Sequence, residues 1–319
     1  MDYIPLSDNA ARQFIDSSTV FNEYMRVQTL VQPYSGGMYW KQDAGYEYLV
    51  KTAPNNRQKR LGVRSTQSET IYQEFTTRKR QLEARFKSLR DQLKDAERLN
   101  KALKVGRVPN TVVAVLQSIE AAGLGEHFTV VGTHALYAYE AAASVRIVQG
   151  ALATQDVDLL WDARKRVQFM TEIEKLDASV LRVLQSADAT FERKEGQNET
   201  AINAKGFEVD FLRRQPVDGD PHPFRFSKDE DDLWPVQAVR ASVLTSAPRF
   251  EHIVISATGR MTLMRTIAPS VFVEFKQWMA KEATHREEAK RRRDLRQASI
   301  VQSLIDNRLL VEESGLRDS

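Results

Sequence analysis

Apolar side chains between residues 68 and 104 recur at spacings of four and three. They are Leu82, Phe86, Leu89, Leu93 and Ala96. Because residues at these spacings share one side of an α-helix, the pattern predicts a long helix with one apolar and one charged face. Gly106 and Pro109 end this helix. The pattern spans only two heptads, so we expect the helix to pack on its own chain, with a homodimer as the alternative.

The sequence before the long helix has a helical and an extended part. An amphipathic pattern predicts a helix from Ala10 to Val31, and the turn-rich residues 34–37 follow it. Residues 38–49 are rich in aromatic side chains and are typical of an extended segment. The basic segment 57–64 is predicted to form either part of a hairpin or a flexible arm.

Strand-like and helix-like segments alternate after residue 107. The predicted elements are strands at Phe128–Val131, Asp156–Trp161 and Gly206–Leu212, helices at Thr111–Ala122 and Arg164–Gln185, a hairpin over 251–264, and long helices over 269–281 and 287–307. This order predicts an α+β fold with a mixed sheet, flanking helices, and helical N-terminal and C-terminal regions. We predict three domains, comprising residues 1–107, a core of 108–225, and 226–319.

Composition narrows the possible chemistry. The chain has 319 residues and no cysteine, which excludes disulfides, thiolate zinc sites, iron–sulfur clusters and cysteine nucleophiles. The 46 basic and 43 acidic side chains give a net charge of +3, but residues 73–107 alone contain 11 basic and 5 acidic side chains. This segregation is compatible with an anionic partner, and equally with solvated helix faces.

The N-terminus carries no recognisable targeting signal. Its first fifteen residues lack the basic start and apolar core of a secretory signal. Elsewhere the sequence never reaches the roughly 20 consecutive apolar residues that cross a bilayer. We therefore expect a cytoplasmic protein without a membrane partner.

Two aspartates of the second predicted strand are the strongest candidates for chemistry. Asp156 and Asp158 are separated by one apolar residue, and alternate residues of a strand face the same side, roughly 6.5 Å apart. Two such carboxylates repel each other unless a cation lies between them, and Mg²⁺ prefers oxygen ligands of this kind. The other Asp-x-Asp pairs, at 218/220 and 229/231, lie in turn-like or acidic segments.

A third carboxylate and a glycine extend this pattern. Asp210 lies between apolar residues of the third predicted strand, with Glu208 as the reserve candidate, and three carboxylates could hold two metal ions for nucleotidyl transfer. Gly132 and Thr133 join a predicted strand to a helix. A phosphate could approach the glycine closely there and bind the hydroxyl and the helix N–H groups. The structural alternative for this pair is a tight turn with a helix cap.

Taken in order, these residues resemble a known family. The series Gly132-Thr133, Asp156-Val157-Asp158 and Val209-Asp210-Phe211 is similar to the motifs of the nucleotidyltransferase superfamily that includes DNA polymerase β. More closely, the chain looks like a bacterial group of nucleotidyltransferase-fold proteins, and the likeness covers about residues 105–305. The departures are Gly-Thr in place of the usual Gly-Ser or Gly-Gly, and a long gap of 24 residues between Gly132 and Asp156.

The resemblance implies a nucleotidyltransferase-type sheet and the transfer of a nucleoside monophosphate from an NTP to a hydroxyl acceptor. It implies that Asp156 and Asp158 hold both metal ions, Mg²⁺ or alternatively Mn²⁺, and that Asp210 holds the ion that activates the acceptor. The nucleotide-binding residues that it implies are Gly132, Thr133 and Lys276. An exposed helix lysine is the alternative interpretation of Lys276.

The acceptor is left open by the sequence, and RNA, a protein or a small molecule all remain candidates. The alternative function is a non-catalytic protein that binds nucleic acid through its basic helices. That alternative predicts binding that weakens steeply with salt and does not depend on Asp156 or Asp158.

Overall fold

The structure, a computed structural model, describes residues 2–53, 57–283 and 286–311. Its helices in these ranges are α1 (Asp8–Val31), α2 (Thr66–Ala102), α3 (Asn110–Ala121), α4 (Leu136–Ala142), α5 (Arg166–Leu176), α6 (Val180–Gln185), α7 (Ala241–Ser246), α8 (Pro269–Lys281) and α9 (Glu288–Asp306). Its strands are β1 (Tyr3–Pro5), β2 (Met38–Asp43), β3 (Tyr46–Thr52), β4 (Gln58–Val63), β5 (Phe128–Val131), β6 (Val145–Ile147), β7 (Asp156–Trp161), β8 (Glu192–Arg193), β9 (Thr200–Ile202), β10 (Glu208–Arg213), β11 (Val236–Gln237), β12 (Arg249–Ile255) and β13 (Met261–Ile267). The predicted α+β class, with a mixed sheet and flanking helices, is confirmed.

The predicted long helix is present as α2. Its start is fixed by a capping box, in which the Ser65 hydroxyl accepts a bond from the Ser68 backbone N–H. The Ser68 hydroxyl in turn accepts a bond from the Ser65 N–H. The buried side chains of its central turns lie at the predicted apolar positions. They are Leu82, Leu89 and Ala96.

The single helix predicted over Arg164–Gln185 is wrong. The structure breaks it into α5 and α6, because Asp177 adopts a left-handed backbone with φ of 49°. The hydroxyl of Ser179 then accepts a bond from the Arg182 backbone N–H at 3.3 Å and starts α6. Apolar side chains continue on both sides of this break, so hydrophobic periodicity alone did not reveal it.

The described chain divides into two compact units. The larger unit comprises residues 1–11 and 104–319, and the smaller unit comprises residues 12–103. The earlier division into domains at residues 107 and 225 stays a prediction.

The smaller unit contains α2, most of α1 and a three-stranded sheet. Gln13 donates a hydrogen bond to Asn100 at 3.1 Å, and the rings of Tyr24 and Phe86 stack with centroids 5.2 Å apart, so α1 and α2 pack side by side. The antiparallel sheet has the order β2-β3-β4. The basic segment 57–64 therefore contributes a strand, as the hairpin alternative predicted.

The larger unit is built on a mixed sheet with the order β5-β7-β10-β9-β8, and β11 also pairs with β10. The two central strands, β7 and β10, are parallel, whereas β5 and β9 run antiparallel to them. The hairpin β12–β13 lies beside β5, where the Thr266 hydroxyl donates to the Val130 carbonyl at 2.7 Å. This arrangement holds β7 and β10 rigidly at the centre of the unit.

Each helix in the described ranges is either too short or too polar to cross a bilayer.

Candidate functional site

The three predicted aspartates meet on one side of β7 and β10. Asp158 lies directly opposite Asp210 in the parallel register, and Asp156 lies opposite Glu208. Alternate strand residues share a side, so Asp156, Asp158 and Asp210 converge. One carboxylate oxygen from each of the three lies within 4.8 Å of the others. This spacing allows one cation to contact all three side chains.

Two threonines orient carboxylates of this cluster. The Thr200 hydroxyl donates to Asp210 Oδ1 at 2.6 Å, and the Thr154 hydroxyl donates to Asp156 Oδ1. Glu208, the reserve candidate, instead accepts a bond from Lys194 Nζ at 2.7 Å. The structure therefore brings Asp210 into the carboxylate cluster and pairs Glu208 with a lysine.

The cluster is electrostatically strained without a cation. Burial, together with the neighbouring charges of Asp156 and Asp210, raises the pKa of Asp158 to about 7. The pKa of Asp210 is also raised, chiefly by burial, although the bond from Thr200 lowers it. A divalent cation would remove this repulsion. The donor set, three carboxylates, fits a hard metal ion such as Mg²⁺.

Gly132 approaches this cluster so closely that a side chain would not fit. A Cβ added at Gly132 would lie 2.2 Å from Asp158 Oδ2, and its φ of 69° is a backbone conformation that favours glycine. Val131, just before it, pairs with Asp158 across β5 and β7. The backbone at Gly132 therefore runs directly past a candidate metal ligand.

Thr133 follows Gly132 in a short 3₁₀ turn that leads into α4. Its side chain is buried, and its hydroxyl oxygen accepts a bond from Gln297 Nε2 at 3.2 Å. The same Nε2 atom donates to the Ala151 carbonyl at 2.7 Å. The threonine is thus fixed by α9, and its hydroxyl hydrogen can still be donated to a ligand.

Lys276 is buried, so the exposed-lysine interpretation is wrong. It is 4% exposed, and its Nζ donates to Asp294 Oδ1 at 2.9 Å. The other oxygen of Asp294 accepts a bond from Arg286 Nε. Burial lowers the pKa of Lys276, whereas the charges of Asp294 and Asp158 raise it. Two cations therefore share one buried carboxylate next to the aspartate cluster.

A cavity of about 620 Å³ joins these groups. Five of the predicted site residues line it, and Asp210 adjoins it through the carboxylate cluster. The five are Gly132, Thr133, Asp156, Asp158 and Lys276. Basic and acidic residues of segment 282–293 form another wall, in which Arg286, Lys290 and Arg293 outnumber Glu282 and Glu287. Phe275 and Trp278 contribute apolar surface. The cavity therefore has an acidic edge, a wall of net positive charge and an apolar wall.

The match with a known family decides the broad class of this site. A family model described as nucleotidyltransferase matches residues 110–315, which is well over half of the chain. The chain belongs to this nucleotidyltransferase family. Membership implies a nucleotide substrate, and nucleotidyltransferases generally use divalent metal ions. Comparisons with curated proteins and with solved structures find no match.

Sequence reasoning missed five residues of the nucleotidyltransferase domain that adjoin the candidate site. They are Thr154, Thr200, Arg286, Asp294 and Gln297. A signal for two of them was available, because Asp294 and Gln297 share the buried face of α9 with Ala298 and Val301. Polar side chains on an apolar helix face need buried partners. Arg286 precedes α9 and carries no comparable sequence signal.

Proposed function

We propose that the protein transfers a nucleoside monophosphate from an NTP to a hydroxyl acceptor and releases pyrophosphate. The observation that carries the proposal is the convergence of Asp156, Asp158 and Asp210 beside Gly132. In this reaction an acceptor oxygen forms a bond to the α-phosphorus, and the bond from that phosphorus to the β-phosphate oxygen breaks. We also propose that the chain is a member of the DNA polymerase β-like superfamily and of its bacterial nucleotidyltransferase-fold group.

The carboxylates have distinct roles in this proposal. Asp156 and Asp158 would hold both of two metal ions, Mg²⁺ or alternatively Mn²⁺, and Asp210 would hold one of them. Ions bound there would supply positive charge for the reacting phosphates and would lower the pKa of the acceptor hydroxyl. Asp210 also receives the acceptor proton or passes it to solvent, because its carboxylate faces the same side as the other two. Thr200 holds this carboxylate in a fixed orientation.

The nucleotide phosphates are held beside the carboxylate cluster. Gly132 allows the phosphates to approach the backbone, and Thr133 offers its hydroxyl hydrogen. Lys276 and Arg286 bring two positive charges against the single negative charge of Asp294. This group of three side chains therefore has a net charge of +1, which can pair with a phosphate of the nucleotide.

The decisive experiment is titration calorimetry of the purified full chain with Mg²⁺ and each NTP. Wild type should bind an NTP only with metal present, and Asp156→Ala should weaken metal affinity by more than about 100-fold. Glu208→Gln is the matched control, because it lies in β10 on the same side but outside the carboxylate cluster. Metal-independent NTP binding, or equal losses in the two variants, would contradict the proposal.

The acceptor can be identified separately. Incubation of the protein with each labelled NTP and a cell extract should label one class of molecule, namely RNA, protein or small molecule. An Asp210→Asn variant should abolish that labelling. Labelling that persists in this variant would show that another enzyme in the extract is responsible.

A further inference from the structure

The smaller unit differs in charge from the unit that holds the candidate site. Residues 12–103 carry 17 basic and 10 acidic side chains, a net charge of +7. The whole chain carries only +3, so the larger unit carries −4. The smaller unit therefore carries the net positive charge that would attract a large anionic partner.

Much of this charge is arranged along α2. Four basic residues recur every seven positions and are exposed, and we call them the basic stripe. They are Arg80, Lys87, Lys94 and Lys101. Residues seven apart drift by only about 20° around a helix, so the stripe follows one flank of α2. It extends over about 31 Å, with a charge about every 10 Å.

The ion pairs beside the stripe do not neutralise it. Lys94 lies 3.4 Å from Asp91, and both side chains are more than half exposed. Exposed pairs of this kind contribute about 0–1 kcal/mol and exchange readily for other partners. The lysines therefore remain available to bind phosphate groups.

A second feature of the same unit favours nucleic acid over other anions. Tyr39, Lys41, Asp43, Tyr46 and Tyr48 share one face of the sheet according to the pairing of β2 with β3. Trp40, whose ring contacts Tyr72 of α2, lies on the other face. Tyr39 and Tyr46 are 37% and 61% exposed, and the Arg60 guanidinium stacks on Tyr48 at 4.7 Å. Exposed aromatic rings among cations are the surface on which unpaired bases stack.

A lipid surface fits less well. Helices that bind bilayers expose an apolar face, whereas the apolar seam of α2 is buried at Leu82, Leu89 and Ala96. An acidic protein would form ion pairs with the basic stripe, but such binding would not require the exposed tyrosines.

We propose that the basic stripe of α2 binds the phosphodiester backbone of single-stranded RNA, and that Tyr39 and Tyr46 stack with its bases. RNA is preferred to DNA because each ribose adds a hydroxyl that lysine and tyrosine side chains can bond. Both features belong to the smaller unit, and neither depends on the proposed transfer reaction.

The first test is fluorescence anisotropy with the full chain and a labelled single-stranded RNA of about 16 nucleotides, over a series of salt concentrations. The variant Lys87→Gln/Lys94→Gln/Lys101→Gln should bind more weakly and should reduce the slope of log affinity against log salt by about 2. The matched control Lys175→Gln/Lys205→Gln/Lys228→Gln removes the same charge from exposed lysines of the larger unit. Its salt slope should equal that of wild type.

The second test separates RNA from other anions. Tyr39→Ala/Tyr46→Ala should lower RNA affinity by at least about tenfold and leave the salt slope unchanged. Equal losses in the two lysine variants would overturn the proposal, as would tighter binding to DNA of the same sequence. Binding of anionic phospholipid vesicles or polyglutamate as tightly as RNA would overturn it as well.

Discussion

Two ion pairs of identical length show how differently the two units use charge. Lys276 and Asp294 in the larger unit are 2.9 Å apart, with side chains 5% and 0% exposed. Arg98 and Asp95 on α2 are also 2.9 Å apart, with side chains 78% and 70% exposed. The distances are equal, so the difference between the pairs lies in their solvation.

This difference decides what each pair can do. A buried charge that loses its partner is left unsolvated, so the groups around Asp294 must stay together unless a ligand replaces one of them. An exposed charge is already solvated, so the residues of α2 can exchange partners at little cost. Buried charges therefore suit a fixed site, and exposed charges suit a surface that binds a long flexible anion.

The largest expected effect follows from removing Asp294. Asp294→Asn leaves the buried Lys276 and the partly buried Arg286 without their counter-charge, so it should lower the free energy of unfolding by about 3–5 kcal/mol. Asp95→Asn, the matched change in the exposed pair, should lower it by less than about 1 kcal/mol. Urea unfolding of the full chain, followed by circular dichroism, measures both values.

A double variant tests the cause of that loss. Lys276→Met/Asp294→Leu removes both fully buried charges and leaves only the partly buried Arg286 without its partner. It should therefore be closer to wild-type stability than Asp294→Asn alone. If the double variant is less stable than the single variant, packing rather than charge explains the loss. If Asp294→Asn and Asp95→Asn both had small effects, solvation would not explain the difference between the two pairs.

A second effect concerns pH and the carboxylate cluster. Burial, with the charges of Asp156 and Asp210, raises the pKa of Asp158 from 3.8 to about 7. The folded state then holds its proton more tightly than the unfolded state. The contribution to stability is therefore complete below about pH 4 and is lost as the pH rises through about 7.

Asp158→Asn replaces the ionisable carboxyl by a neutral amide, so its stability should not fall as the pH rises through about 7. In excess chelator at pH 8 the variant should be more stable than wild type, by up to about 4 kcal/mol, while its metal affinity falls. For wild type, metal affinity should rise as the pH increases through about 7, because the cation displaces a proton. Thermal unfolding with and without metal at several pH values measures both trends. A flat profile for the metal-free wild type would contradict the electrostatic account of the cluster.

A smaller effect concerns the glycine beside the cluster. Gly132→Ala combines a positive φ with a Cβ 2.2 Å from Asp158 Oδ2, whereas Gly196→Ala has a φ of 75° with no atom within 4 Å. The control should lose about 1–2 kcal/mol for its backbone alone. Gly132→Ala should lose more and should also weaken metal binding. Equal losses, with metal affinity unchanged, would show that Asp158 moves aside freely.

The carboxylate cluster was predictable because its signal is local. Asp156, Asp158 and Asp210 each lie in a short apolar run that predicts a strand. Because side chains alternate along a strand, the sequence alone indicates which residues of one strand share a side. The glycine was predictable for the same reason, since strand, glycine and helix follow one another along the chain. What the sequence did not contain was the register that places Asp158 opposite Asp210.

The cationic side of the cavity was harder to predict because its partners come from different elements. Lys276 lies on the buried face of α8, where a lysine is costly unless a counter-charge is available. That counter-charge, Asp294, is 18 residues away on α9. Only the packing of the two helices pairs them, and a one-dimensional pattern carries no information about that packing. The break at Asp177 was missed for a related reason, because one residue's backbone conformation interrupts an otherwise continuous pattern.

The parallel pairing of β7 with β10 has a consequence for folding. It joins Asp158 to Asp210 across 51 residues of intervening chain, so the pairing forms only after a long loop has closed. A slip of one residue would turn Asp210 to the opposite side of the sheet. Any cation held jointly by the three carboxylates would stabilise only the correct register. An ion present during refolding would therefore favour the native alignment of β7 with β10 over a slipped one.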